Sequence, residues 1–212
     1  MGKKDDDPQT ARMGRPAGFA RADAVKAAMN YVWKKGFLAA SATELAEAME
    51  IQRSSFYNSF GDREALFREV LALYGAQAPD APLRQIQPGD SVIPAVVSVL
   101  RNVCHIRATD AEARGCLVCN GVAELAGIDD RIGALLEKAV KQQVALMERL
   151  FSQAVRQREL PAVDDIAGTA KSFVAFLIGL NILSKVVRSE KQLWASCRQF
   201  LLGLGVSKAF VK

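Results

Sequence analysis

The chain has 212 residues, half of them apolar, with 28 Lys and Arg against 23 Asp and Glu and a formal net charge of +5. Its length and apolar share supply the core of one ordinary domain or two small ones, and 15 Gly with 7 Pro are too few for a low-complexity protein. The longest apolar run, Phe173–Leu183 with Asn181 as its one polar residue, falls short of the roughly 18 residues of a membrane span, and the polar start MGKKDDDPQT carries no apolar export segment.

No sustained alternation of apolar and polar residues marks a strand, and helix formers dominate, so the expected class is all-α. Residues 1–20 read as a disordered basic arm ending in Arg12-Met13-Gly14-Arg15-Pro16. A first helix is expected over about 21–35, with Val25, Met29, Val32 and Trp33 on one face and Gly36 as its stop. Ser41 and Glu44 then form an S-x-x-E capping box that opens a short helix, with Leu45, Ala48 and Met49 on one face. A second short helix begins near Gln52 and is anchored by Phe56 and Phe60, one turn apart. Arg53, Ser54 and Ser55 head it, and Tyr57 and Asn58 follow a turn later. An aromatic buried face opposite a hydrogen-bonding face suits the major groove of DNA, although an ordinary helical hairpin has the same spacing. A fourth helix, about 63–74, follows Asp62 and buries Leu66, Phe67, Val70, Leu71 and Tyr74. Three prolines and two glycines in 75–89 mark a linker and domain boundary.

Beyond it a bundle is expected, with helices near 90–108, 112–126, 129–158, 164–187 and 190–204, capped by Asp90, Asp110, Asp129, Asp164 and Ser189. The helix at 164–187 is apolar almost all round, which calls for cover on several sides. Together with 190–204 it is the expected homodimer interface, with Phe173, Phe176, Leu177, Leu180, Trp194 and Leu201 as candidate contacts. The alternative is that the monomer's own helices bury them all.

Catalysis is poorly supported. His105 is the one histidine, and no nucleophile elbow, phosphate-binding loop, dinucleotide fingerprint or HExxH occurs. Without an export signal, the four cysteines are expected as reduced thiols in the cytoplasm. Cys116 and Cys119 form a CxxC at a helix start beside Arg114, where a helix terminus and a cation favour a thiolate. They are candidate sensors of electrophiles or oxidants, and equally candidate core residues. A zinc site drawing on Cys104 and His105 is disfavoured, because adjacent helical side chains diverge by about 100°. Asn120 and Glu124, one turn apart beside the cysteines, and Asn181, which interrupts the apolar run, are the polar effector candidates. No cofactor and no metal are expected.

The segment 21–74 resembles the DNA-binding domain of the TetR (tetracycline-repressor) family of transcriptional regulators. The resemblance rests on the helix 25–35 ending at Gly36-Phe37, on Ser41-Ala42-Thr43, Leu45-Ala46, Ser55-Phe56-Tyr57 and Phe60, and on Glu64-Ala65-Leu66-Phe67. More loosely, Arg114-Gly115-Cys116-Leu117 with Asn120 and Ala123-Glu124-Leu125 resembles the ligand-binding domain of one subgroup. Glu50 departs from the glycine usual in the turn, and Gln52 from the usual Ser or Thr. The resemblance implies a three-helix helix-turn-helix domain at 21–74 and a ligand-binding and dimerisation bundle at 90–212. It implies a homodimer on a palindromic double-stranded DNA operator, released by a small-molecule effector. It places Arg53, Ser54 and Ser55 on base edges, Thr43, Tyr57, Asn58 and Arg63 on phosphates, and Arg15 of the arm in the minor groove. The competing expectation is a thiol-redox or metal-binding regulator that does not act primarily on DNA.

Overall fold

Side chains and remote carboxylates that satisfy free amides set most of the helix starts. Ser41 and Glu44 close a reciprocal capping box, the Glu44 amide donating to Ser41 Oγ and the Ser41 amide to Glu44 Oε2. Asp62 accepts from the Ala65 amide at 2.8 Å, Asp165 from Gly168 at 2.7 Å and Ser189 from Gln192 at 3.4 Å. A computed structural model describes residues 20–212; the arm expected at 1–20, Arg15 included, lies outside the described residues except for Ala20. Among the described residues the helices are α1 Arg21–Lys35, α2 Ala42–Ala48, α3 Arg53–Phe60, α4 Arg63–Gln77, α5 Val92–Thr109, α6 Leu117–Leu125, α7 Ile132–Arg156, α8 Ile166–Leu183 and α9 Glu190–Gly203, with no strand.

Three helix starts are capped differently from expectation, and α8 ends at Leu183 rather than near 187. Asp165 rather than Asp164 caps α8. The first amides of α5, Val92 and Ile93, are taken by the remote carboxylate of Glu159 and not by Asp90. The helix expected from 112 begins only at Leu117, because Asp110 folds back on Arg114, accepting from its amide at 2.8 Å and from its guanidinium. That closure leaves Ala113 at φ 51 and Gly115 at φ 69, a left-handed pair that no helix passes through.

Two hydrophobic cores result. One gathers Phe37 of the turn after α1 with Phe56, Phe60 and Phe67 of α3 and α4, and also takes Leu117 and Leu125 of α6 and Ile132 and Leu136 of α7. Phe37, Phe56 and Phe67 are completely buried, each such burial contributing about 1.5–3 kcal/mol. The other core unites α5, α7, α8 and α9 with Leu83 and Ile86. The segment 75–89 is a packed strap rather than a loose linker. α4 runs to Gln77, a 3₁₀ turn covers Ala81–Gln85, and Ala78, Leu83 and Ile86 are buried.

α6 lies against the head through close backbone approach. A Cβ on Gly121 would stand 2.8 Å from the Phe37 ring, and one on Gly36, itself at φ 93, would stand 2.8 Å from Glu124 Oε2. Glycine is required at both. α8 is long and apolar enough to cross a bilayer by length and composition, but it packs along α7 with 28% of its length buried in the protomer.

Candidate nucleic-acid interface and effector cavity

α3 divides cleanly. Phe56 and Phe60 are buried, while Arg53, Ser54, Tyr57 and Asn58 are exposed and Ser55 is half-buried. The ring of Tyr57 meets Phe56 edge-on at 5.3 Å, and the Arg53 guanidinium lies 5.8 Å from the Tyr57 ring centroid. Tyr57 is thereby propped upright, with Arg53 alongside it. Thr43 is exposed on α2. The turn between α2 and α3 holds Glu50 at φ 54, the left-handed conformation that glycine adopts freely and a glutamate adopts under strain.

Arg63, expected at a phosphate, is engaged within the head. It is half-buried, Nη2 donates to the Phe37 carbonyl at 3.1 Å, and its guanidinium lies 5.5 Å from the Phe67 ring. Arg63 therefore braces the turn after α1.

The C-terminal unit contains a cavity of about 110 Å³ between the end of α4, α5, the start of α6, α7 and α8. Cys116, Cys119 and Asn181 line it, as do Tyr74, Arg107 and Gln143, with Val103, Val140, Val174, Leu177 and Ile178 as apolar walls. Arg107 is 3% exposed; its Nε donates to Asn181 Oδ1 at 2.7 Å and its Nη2 to the Tyr74 hydroxyl at 3.2 Å. Asn181 in turn donates to the Leu177 carbonyl at 2.8 Å. The Cys119 thiol donates to Cys116, and with the Tyr74 hydroxyl, the Cys119 amide and the charge of Arg107 it draws the Cys116 thiol down to about 6 against the opposing effect of burial. Cys119 is pushed up correspondingly by holding the shared proton and by burial, and Tyr74 is pushed up chiefly by burial. The second cysteine pair, Cys104 and Cys197, lies 3.5 Å apart, sulfur to sulfur, wholly inside the bundle core.

Two polar candidates lie elsewhere. Asn120 does not line the cavity; it donates to the Arg114 carbonyl and accepts from Lys185 Nζ. Glu124 faces the head, accepting from the amides of Phe37 and Leu38. Arg107 escaped the sequence reading, which expected Tyr74 in the core but not at a cavity. The available signal was that Arg107 follows Val103 and Cys104 by four and three residues, on the apolar stripe of its helix.

Of the six expected dimer contacts, Phe173, Leu180 and Leu201 are 1–2% exposed within one protomer, so no partner is needed to cover them. Phe176 is half-buried and stacked on Phe200 at 4.2 Å; Trp194 lies under Arg101; Leu177 lines the cavity. An uncovered apolar face is formed by Ala175, Gly179, Ile182 and Leu183 on α8 and by Val186 just beyond it. Among the described residues no group of three or more His, Cys, Asp or Glu is placed to hold a metal.

A family model described as bacterial regulatory proteins, tetR family, matches residues 24–70, and one described as tetracyclin repressor-like, C-terminal domain, matches residues 93–200. The chain belongs to the TetR family. It is thus a transcriptional regulator with a helix-turn-helix head, and not an enzyme. TetR-family relatives include the HTH-type transcriptional repressor ComR of Escherichia coli (strain K12), 24% identical over 181 residues, which are 85% of this chain and 86% of ComR. The HTH-type transcriptional repressor BdcR of the same organism is 33% identical over 111 residues, 51% of this chain and 55% of BdcR. Among solved structures, a cysteine mutant of the TetR-family regulator CifR, complexed with 26 bp double-strand operator DNA, aligns with a TM-score of 0.78 at 28% identity. That alignment covers 90% of this chain and 100% of the CifR chain.

Proposed function

We propose that this TetR-family regulator is a repressor that binds a palindromic operator as a homodimer and releases it when an effector fills the cavity. The observation that carries the reading is α3, whose buried Phe56 and Phe60 leave Arg53, Ser54, Tyr57 and Asn58 on the outer face. Arg53, Ser54 and Ser55 contact base edges, and Thr43, Tyr57 and Asn58 contact phosphates. Two such helices must reach successive major-groove turns about 34–36 Å apart, which requires a dimer. The uncovered α8 face is the natural seam, since Gly179 and Ala175 allow close approach and Ile182, Leu183 and Val186 supply apolar area. A duplex-DNA partner supports a cytoplasmic location. ComR and BdcR, both named as repressors, support the sign of regulation.

The thiol pair favours an electrophile as one form of effector. Cys116 lines the cavity and is held as a thiolate near neutral pH, the form that reacts with electrophiles. Covalent addition there would place new bulk at the start of α6, the helix that carries Glu124 to the head.

The test is capture of genomic fragments by the purified protein, followed by affinity measurements on the enriched duplex over a range of salt. A palindromic site with affinity falling steeply in salt is expected. Absence of salt-sensitive duplex binding overturns the proposal.

A further inference from the structure

We propose that the cavity recognises a small organic carboxylate, with Arg107 receiving the negative charge and Gln143 donating a second hydrogen bond. The inference deepens the reading of this cavity as the effector site and rests on it.

Arg107 is a guanidinium buried among apolar side chains; the groups that hydrogen-bond it, Asn181 and Tyr74, are both neutral, and among the described residues no hydrogen bond links it to Cys116, whose thiolate its charge favours from across the cavity. Among the described residues no carboxylate lies within 4.0 Å of it. Asp80 also lines the cavity, but it lies 3.6 Å from Arg84. Buried charges are ordinarily paired, because an isolated one loses its hydration without return. A cation left open toward a cavity is therefore a receptor for an anion. Guanidinium has the geometry for a carboxylate, offering N–H groups in a planar fork.

A second group points the same way from a different helix. Gln143 of α7 lines the cavity, and its Nε2 is buried without a hydrogen-bond partner. An unmet buried donor and a buried guanidinium with no carboxylate beside it share one need, an acceptor-rich anion. The rest of the wall is aliphatic, from Val103, Val140, Val174 and Ile178. That lining selects an organic body over a bare inorganic ion, which would keep its hydration in bulk water. At about 110 Å³ the space is of the order of the ~150 Å³ cavity that accepts benzene, so the body is a short aliphatic chain or one ring.

The experiment uses the full-length protein without DNA and two pairs of matched probes, butyrate with butyramide and benzoate with benzamide, plus inorganic phosphate. Calorimetric titration should give each carboxylate at least about tenfold tighter binding than its amide, with phosphate weaker than either carboxylate. In Arg107→Gln the preference for carboxylate over amide should vanish. Gln143→Met nearly conserves side-chain volume and removes the amide with its donor, so it decides the matter if Arg107→Gln fails to fold; carboxylate affinity should fall severalfold. Equal binding of carboxylate and amide in the parent, no binding of either carboxylate, tighter binding of phosphate, a preference that survives Arg107→Gln, or an affinity unchanged in Gln143→Met overturns the proposal. Operator affinity is measured separately on ligand-free protein. Failure of the carboxylate inference thus leaves DNA binding standing, and failure of DNA binding is seen independently.

Discussion

The carboxylate of Glu124 on α6 accepts the backbone N–H of Phe37 at 2.7 Å and that of Leu38 at 3.2 Å. This bond pair joins the turn between α1 and α2 to the helix whose first residues line the cavity. It is reinforced nearby, where the Trp33 indole donates to the Gly115 carbonyl at 3.2 Å and the Arg114 guanidinium lies 4.3 Å above the Trp33 ring.

Removing the joint should separate ligand binding from operator release. Hydrogen bonds to a charged acceptor contribute about 1.5–3 kcal/mol, so Glu124→Ala should lower unfolding stability by roughly that amount in urea titration. It should also leave ligand affinity intact while weakening ligand-driven release of the operator. Release at parental ligand concentrations would mean that the signal travels by another route.

Arg53 and Arg63, both expected at DNA from the sequence, should behave oppositely. Arg53→Ala should reduce discrimination between operator and random duplex by about 1–3 kcal/mol and leave thermal stability unchanged. Arg63→Ala frees the Phe37 carbonyl and opens space beside Phe67, so it should lower the melting temperature. A flattened salt dependence in Arg63→Ala at unchanged stability would restore Arg63 to the phosphate backbone.

Association should depend on Ile182 and Val186, which are 45% and 78% exposed in the protomer. Ile182→Glu would bury a charge at the seam, and light scattering should report a monomer that remains folded. Phe173→Ala should instead destabilise the protomer by about 3–5 kcal/mol through a core cavity. A dimer that persists in Ile182→Glu places the seam elsewhere.

Cys116 should alkylate with a midpoint near its lowered value of about 6, against ~8.5 for an ordinary thiol. Its reaction with iodoacetamide should therefore approach its plateau at pH 7 in the parent, and Cys116→Ser should lose that fast phase. The same shift adds stability that is fully present above the unfolded value and is lost as the pH falls through about 6. A fast phase first appearing near pH 8.5 would show that Cys119 and Tyr74 do not hold the thiolate.

Much of this arrangement is legible in the sequence because its causes are local. The capping box at Ser41 and Glu44, the Phe56 and Phe60 anchor and the Ser189 cap depend on spacing within one or two turns. The losses have a common origin in partners remote along the chain. Apolarity predicts that Phe173 and Leu180 are buried but not whether their own protomer buries them. Spacing places Glu124 near Cys116 and Cys119, yet its partner is a turn 87 residues away. A lone arginine on an apolar stripe reads as solvent-exposed until α4 and α8 are seen to enclose Arg107 with Tyr74 and Asn181.

The sharing of α6 between the two cores has a practical consequence for anyone exchanging heads among such regulators. Leu117, Leu125, Ile132 and Leu136 complete the core of α1–α4, although they fall within the span matched to the C-terminal model, 93–200. A chimera spliced in the strap at 75–89 would set Phe37 against a foreign α6, where any side chain larger than hydrogen at the place of Gly121 would strike its ring. A transplant that works must carry α6 and the first turns of α7 with the head, as a graft in two pieces.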